Sequence, residues 1–197
     1  MTEQQSKPTK TIILSKGAEI VHNKGFNNTG IQEVLNAAGV PKGSFYFYFK
    51  NKNDFGLHLI DFYAQVIYSR LDEAQAMTDL HPLARLRSFF REFLLLFEKN
   101  QCQGGCPIGN LAQEMGDLNE DFRQRLNTVF SRLQHRIANL LEEARKEGGL
   151  SATWRTQEMA GFILNSWQGA MLQMKVVKST HPLQTFESIV FDSLLNH

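Results

Sequence analysis

Cys102 and Cys106 are the side chains of this sequence best suited to nucleophilic chemistry, and only Gln-Gly-Gly separates them. Pro107 is suited to the first position of a helix, which would place Cys106 at the helix cap. A sulfur atom there would face unpaired N–H groups and the positive end of the helix dipole, which favours the reactive thiolate. The sequence therefore predicts a sensing thiol at Cys106, with Cys102 as the weaker candidate. The alternative is that both are small, buried and inert side chains.

Other uses of the two cysteines fit the spacing less well. C-x3-C supplies only two zinc ligands, and no further Cys or His lies nearby to complete four, so we predict no metal and no cofactor. A disulfide between Cys102 and Cys106 is expected only under oxidising stress. Thiol enzymes usually carry C-x-x-C with an adjacent His, so we predict that the chain is not an enzyme. An all-helical peroxidase-like protein is the rival from that class.

A second group of candidate residues lies in the stretch 29–52, which is predicted to form two short helices. Thr29 and Gln32 have the spacing of a capping box, so the first helix is expected to begin at about Thr29. Its apolar residues recur with the period of a helix packed on one face, and they are Ile31, Val34, Leu35 and Ala38. Gly39 ends this helix, and Pro41 suits the first turn of a second helix running to about Phe49. Two short helices joined by a tight turn indicate a helix-turn-helix unit.

The second of these helices is expected to be buried on one side only. Val40, Phe45 and Phe49 would form its inner side, and the outward residues would be Lys42, Gly43, Ser44, Tyr46 and Phe47. Tyr hydroxyl and Lys ammonium groups can reach phosphates, and a Phe ring can contact a thymine methyl group. The alternative is that FYFYF is a buried strand or a core helix.

The run GVPKGSFYFYFKNKNDF closely resembles the signature of the TetR family of transcriptional regulators. The resemblance implies that operator DNA is contacted by Thr29, Gly30, Pro41, Lys42, Gly43, Ser44, Tyr46, Phe47, Tyr48 and Lys52. It further implies that Phe47 helps to read bases while most of the others hold phosphates. Pro41 stands where Ser or Thr is usual, and Phe47 is apolar where His, Tyr or Asn is common. These two differences affect which bases are recognised but not the fold.

Composition and charge agree with a nucleic-acid-binding head on a larger body. The chain has 197 residues, 42% hydrophobic and 21% charged, which is ordinary for a globular protein. No apolar run approaches the roughly 20 residues of a membrane span and no secretion signal is visible, so a cytoplasmic protein without membrane partners is expected. Residues 1–52 hold seven Lys and no Arg against three Glu, a net charge of +4 within a chain of net charge +1. A basic head is what phosphate binding requires.

The predicted fold class is all-α, with about nine helices. Residues 1–52 are predicted to be a three-helix DNA-binding domain and residues 53–197 an effector-sensing and dimerisation domain. The expected helices cover about 9–24, 29–38, 41–49, 53–77, 83–99, 107–115, 119–146, 154–178 and a last one opened by Thr180 and Pro182. Ser151 or Thr153 is the expected cap of the eighth helix.

The last two helices are apolar over broad arcs and carry small residues that permit close approach, namely Ala160, Gly161, Gly169 and Ala170. They are predicted to pair with the same helices of a second copy in a four-helix bundle. A homodimer is also what the resemblance implies, with two heads on successive major grooves about 34–36 Å apart.

Further motifs narrow the resemblance to the branch of the family that includes the N-ethylmaleimide reductase repressor. They are GGC before a Leu-x-x-Glu helix, DLNEDFR and GAMLQMK. In that branch the Cys corresponding to Cys106 is the sensing residue, and the resemblance makes Lys175 a plausible partner that stabilises the thiolate or traps an oxidised sulfur. The alternative for Lys175 is a solvated helix residue.

A non-covalent effector is the second way in which such a body can work. The side chains that would line or border a hydrophobic cavity are Phe93, Phe97, Asn110, Gln113, Met115, Phe130, Trp167, Met171 and Met174. The alternative for the apolar ones is plain core. The sequence thus predicts a TetR-type repressor released from double-stranded operator DNA by modification of Cys106 or by a small ligand, with a purely reversible hydrophobic effector as the alternative.

Overall fold

The computed structural model describes residues 3–151 and 153–195, with side chains from residue 9 onward. Within these residues the protein is all-helical and contains no strand, which confirms the predicted fold class. The helices are α1 Glu3–Lys24, α2 Ile31–Ala38, α3 Lys42–Tyr48, α4 Lys52–Gln75, α5 Pro82–Lys99, α6 Pro107–Met115, α7 Glu120–Lys146, α8 Thr156–Val177 and α9 His181–Ser188. A π-helical segment, Ile189–Leu194, continues directly from α9.

The chain forms two compact units. The first comprises Met1–Val66 and Pro107–Asn127, and the second comprises Ile67–Cys106 and Thr128–His197. The first unit therefore contains α1 to α3 together with α6 and the first parts of α4 and α7. The functional boundary at residue 52 stays a prediction, because compactness does not report which residues carry each function.

Aromatic rings fill the core of the first unit. The Phe45 and Phe49 rings of the α3 segment lie 5.6 and 5.1 Å from the Phe55 ring of α4, centroid to centroid. On the other side of α4, a Cβ atom at Gly56 would lie 2.3 Å from the Phe122 ring of α7. Only glycine fits at that position, because the helix backbone and the ring are in direct contact. The inner side of α3 is thereby fixed to a rigid aromatic core.

The turn between α2 and α3 forms as the sequence predicts. Gly39 has φ of 65°, the left-handed conformation that ends a helix, and the Val40 N–H donates to the Leu35 carbonyl at 3.0 Å. Pro41 then precedes the first residue of α3. A short helix of this kind is stable only when it packs against other residues. Phe45, which has no exposed surface, provides that packing.

The predicted capping box at Thr29 and Gln32 is wrong by one residue. The cap of α2 is Gly30, and the Glu33 carboxylate accepts a hydrogen bond from its backbone N–H. Glu33 is thus the residue that reaches back to the cap, and its pKa is lowered first by the Lys24 ammonium. Thr29 instead donates its hydroxyl to the Gly25 carbonyl at 2.7 Å. Gln32 donates to the Asn36 side chain at 2.9 Å.

Several predicted boundaries and faces also need correction. Helix α1 begins at Glu3 and not at about Thr9, and residues 1 and 2 lie outside the described part. Helix α8 begins at Thr156 after an Arg155 cap, because Ser151 and Thr153 bond to each other in a local turn and do not cap the helix. On α4, Val66 shares the helical period of the buried Leu59, which predicts burial, but Val66 is 46% exposed.

The second unit has its own core. The Phe90 ring of α5 packs edge-on against Trp167 of α8 at 5.0 Å and against Phe186 of α9 at 5.1 Å. Above this core, the Arg87 guanidinium donates to Glu187 at 2.7 Å and to Asp192 at 2.5 Å. These carboxylates raise the pKa of Arg87, with the hydrogen bond to Asp192 as the largest cause. The ion pairs tie the last helical segment to α5.

Candidate functional site

The outward face of α3 carries the predicted side chains. Lys42 and Gly43 are exposed and Ser44 is half-buried. Tyr46 is 57% exposed and Phe47 69%. The stretch FYFYF is helical, so the alternative of a buried strand is wrong.

Tyr48 lies differently from its two exposed neighbours. Its ring is half-buried and meets the Phe47 ring edge-on at 4.9 Å. Its hydroxyl oxygen is buried and has no hydrogen-bond partner. In this conformation the Tyr48 side chain supports Phe47 and does not present its hydroxyl outward.

Thr29 and Lys52 are both predicted to hold phosphates, but Thr29 is buried in the first unit and Lys52 is half-buried against it. Thr29 is 3% exposed. The Lys52 ammonium donates to the Asn27 carbonyl at 3.1 Å and lies 4.9 Å from the centre of the Phe26 ring. Burial lowers the pKa of Lys52. Both side chains brace the turn that leads into α2, while Gly30 and Pro41 remain exposed.

Glu114 of α6 is a residue of this region that sequence reasoning missed. Its carboxylate accepts hydrogen bonds from the backbone N–H groups of Phe26 at 2.8 Å and Asn27 at 2.6 Å. Gly25 leaves room for it, since a Cβ atom there would lie 3.1 Å from the carboxylate. No local pattern links residue 114 to the α1–α2 turn, so spacing offers no signal for this clamp.

Lys175 of α8 lies against the turn that joins α5 to Cys106 in the second unit. The half-buried Cys106 sulfur accepts a hydrogen bond from the Gln168 side-chain amide at 3.4 Å. Gly105 has φ of 73°, and a Cβ atom there would lie 2.7 Å from Cδ of Lys175. The Lys175 side chain therefore lies against the residue beside the thiol. Gln168 was missed, although its position seven residues before Lys175 puts both on one face of α8.

Cys102 has a structural place in the same turn. It is 6% exposed, has φ of 56° and donates its backbone N–H to the Phe97 carbonyl at 2.8 Å. This bond closes the end of α5 in the manner of a Schellman turn. Neither cysteine of the described chain is part of a disulfide.

The nine residues predicted to surround a cavity do not lie in one unit. Asn110, Gln113 and Met115 belong to the first unit and the other six to the second. Met115, Phe97, Trp167, Met171 and Met174 are buried, Phe93, Phe130 and Asn110 are half-buried, and Gln113 is exposed. That pocket stays a prediction. An open cleft of about 700 Å³ lies elsewhere in the second unit, and its lining includes His81, Arg87, Leu150 and Phe191 but none of the nine.

The described residues contain no group of three His, Cys, Asp or Glu side chains placed to hold a metal ion. None of their helices is both long and apolar enough to cross a membrane.

Two family models match the chain. Residues 13–58 match the model of bacterial regulatory proteins of the tetR family, and residues 82–190 match the tetracyclin repressor-like C-terminal domain. The chain belongs to the TetR family. It is a DNA-binding transcriptional regulator of the helix-turn-helix type.

Named relatives and solved structures extend this match over most of the chain. The transcriptional regulator AcuR of Cereibacter sphaeroides is 42% identical over 88% of this chain and 80% of that protein. A crystal structure of a TetR regulatory protein from Rhodobacter sphaeroides is 41% identical with a TM-score of 0.85, covering 92% of this chain and 95% of that one. The crystal structure of reduced Escherichia coli NemR is 28% identical with a TM-score of 0.87, covering 94% and 96%.

Proposed function

We propose that this TetR-family regulator is a homodimeric repressor that leaves its operator when an electrophile or oxidant modifies the Cys106 thiol. The observation that carries the proposal is the arrangement of α8 around that residue. Gln168 donates to the sulfur, and the Lys175 side chain lies against Gly105 next to it. A hydrogen-bond donor and a nearby cation both favour the thiolate, which is the reactive form. A reversible ligand in the body is the alternative.

Two classes of reagent would react at this sulfur. An electrophilic alkene such as N-ethylmaleimide forms a carbon–sulfur bond, and the π electron pair moves to the carbon beside the carbonyl, which takes a proton from water. Hypochlorite oxidises the thiolate to sulfenic acid and is itself reduced to chloride. The Lys175 ammonium gives a proton to water, and the resulting amine attacks the sulfenic sulfur, forming a sulfur–nitrogen bond with loss of water.

The backbone connects Cys106 to a helix that contacts the predicted DNA-binding domain, residues 1–52. Cys106 directly precedes α6, and Glu114 of α6 accepts from two N–H groups of the turn before α2. A change in backbone conformation at Cys106 would therefore shift α6, and with it the turn that determines where α2 begins. For a loss of operator affinity of roughly 100-fold, modification must discriminate between the bound and free states by about 2.8 kcal/mol, since each 1.4 kcal/mol is a factor of ten.

The direct test combines mass spectrometry of the reduced protein with an operator-binding assay during titration with N-ethylmaleimide. The operator is first selected from random DNA. We expect loss of operator binding to follow the fraction of Cys106 carrying one adduct. Full modification of Cys106 with unchanged operator affinity would contradict the proposal.

Helix α8 also supports the proposed dimer. Phe162, Leu172 and Val176 lie on one side of it with exposures of 52%, 48% and 77%. Gly169 lies on the same side with open space above it. Ala160 is buried and Gly161 packs against Gln134, so these two small residues serve the fold of the single chain. An apolar helix face of this kind fits pairing with a second copy.

We predict that Val176→Glu converts the dimer to a monomer, because a carboxylate at the centre of an apolar interface loses its hydration without a partner. Sedimentation at micromolar concentration measures the change. Leu118→Glu is the matched control, since Leu118 is 70% exposed in the first unit, and it should leave the mass unchanged. A dimeric Val176→Glu protein would place the interface elsewhere.

A further inference from the structure

The outward face of α3 presents an aromatic hydrocarbon side chain. Phe47 is 69% exposed, more than any other aromatic residue among the large hydrophobic side chains found exposed in the described chain. Leaving such a ring in water forgoes about 25 cal/mol per Å² of apolar surface, so a contact in the DNA complex would recover that energy. The following inference rests on the proposed operator binding through α3.

The Phe47 ring is held in place from the protein side. The Tyr48 ring meets the Phe47 ring edge-on, with 4.9 Å between the ring centroids. The Tyr48 centroid in turn lies 6.3 Å from that of Phe49, which is 1% exposed. The Tyr48 hydroxyl oxygen is buried, so this ring contacts Phe47 from the protein side. The Phe47 ring thus has a fixed inner side and an outer side open to a partner.

The other side chains of the head offer few ways to read a base by hydrogen bonds. Bidentate readers are Arg or Lys for guanine, Asn or Gln for adenine and carboxylates for cytosine. Of these residue types, α3 contains only Lys42. On α2, the Gln32 and Asn36 carboxamides are hydrogen-bonded to each other at 2.9 Å. Residues 1–52 include no arginine.

We propose that each operator half-site carries a thymine whose C5 methyl group packs against the Phe47 ring, and that this apolar contact is the main sequence-reading contact of α3. The thymine methyl is the one apolar group that a standard base pair presents in the major groove. Lys42 and Lys50, both exposed on the same head, favour a phosphate-bearing partner over a protein surface.

Replacing thymine with uracil tests this contact, because uracil lacks only the methyl group and keeps every hydrogen-bonding atom. The operator selected from random DNA is resynthesised with deoxyuridine at one thymine at a time. We expect one position in each half-site at which the change weakens binding about 4-fold, the value for burial of one methylene-sized group. Replacing both should weaken binding roughly 15-fold, while other thymines change binding less than about 2-fold.

Two variants assign the effect to Phe47. Phe47→Ala should bind more weakly and should no longer distinguish thymine from uracil at the sensitive position. The change leaves the core intact because the ring is exposed. Tyr46→Phe is the matched control, since it removes a hydroxyl from the neighbouring exposed residue and should keep the full thymine-to-uracil ratio.

Contrary outcomes separate the two proposals. A selected operator with no methyl-sensitive thymine, or a Phe47→Ala variant that keeps the ratio, overturns this inference while leaving the repressor assignment in place. A wild-type protein that selects no operator at all overturns the proposed function and this inference with it.

Discussion

Cys106→Ser is expected to abolish the release of operator DNA by electrophiles. In the wild-type protein, N-ethylmaleimide or hypochlorite should weaken operator binding by roughly 100-fold, which lies in the range of allosteric coupling energies of 1–3 kcal/mol. A serine hydroxyl is not ionised near neutral pH and forms no adduct, so the variant should change by less than about 2-fold. It can still accept the hydrogen bond from Gln168, so the turn and the basal affinity should be retained. Fluorescence anisotropy with a labelled operator measures both quantities.

The matched control for this variant is Cys102→Ser. Cys102 is in the same turn, but its side chain is 6% exposed and its part in the fold is made by its backbone N–H. The Cys102→Ser protein should therefore keep the full response. If Cys106→Ser releases DNA like the wild type, the effector acts without thiol chemistry and the reversible-ligand alternative replaces this one.

The sequence predicts the elements of this fold where local chemistry decides them. Gly39 ends α2 because glycine adopts a φ of 65° without steric strain. Pro41 is the cap of the next helix, where its missing N–H leaves no hydrogen bond unmade. The faces of α3 follow from the helical period, which puts Phe45 and Phe49 inside and Tyr46 and Phe47 outside. Such signals lie within a few residues of the position that they determine.

The capping error at α2 shows where local signals compete. Thr29, Gly30 and Glu33 lie within one turn, and two capping registers are compatible with the sequence. The register with Gly30 as cap forms because the Thr29 hydroxyl bonds back to Gly25 and is buried there. Tertiary burial of one side chain thus outweighs the Ser/Thr preference at a cap.

Contacts between distant segments of the chain leave no trace in spacing. Gln168 lies 62 residues from Cys106, and Glu114 lies 88 residues from Phe26. Each contact depends on how two helices pack, and a polar residue on a helix surface reads from sequence as solvated. The thiol could be proposed from its own neighbourhood and Lys175 from the family resemblance, whereas Gln168 was not predicted.

Replacing Glu114 by glutamine is expected to lower both the stability of the protein and its affinity for the operator. Its carboxylate accepts from two adjacent backbone N–H groups, and the Lys52 ammonium holds the Asn27 carbonyl of the same turn. Glu114→Gln keeps the size of the side chain but offers one acceptor oxygen, so its amide would point a donor at the second N–H. Hydrogen bonds to charged groups contribute about 1.5–3 kcal/mol each. With a half-buried carboxylate we expect a loss of about 2 kcal/mol in unfolding free energy.

Operator affinity should also fall, by roughly 10- to 30-fold. The turn held by Glu114 determines where α2 begins, and each 1.4 kcal/mol of lost binding free energy lowers the affinity tenfold. Gln113→Ala is the control, since Gln113 is the exposed neighbour on α6 and makes no part of the clamp. Urea unfolding and operator binding are measured on the same samples. If Glu114→Gln loses stability but binds operator normally, the hydrogen bonds of Glu114 serve the fold only. The effect of Cys106 on the DNA-binding domain would then have to pass through α4 or α7, the two helices that continue from one unit into the other.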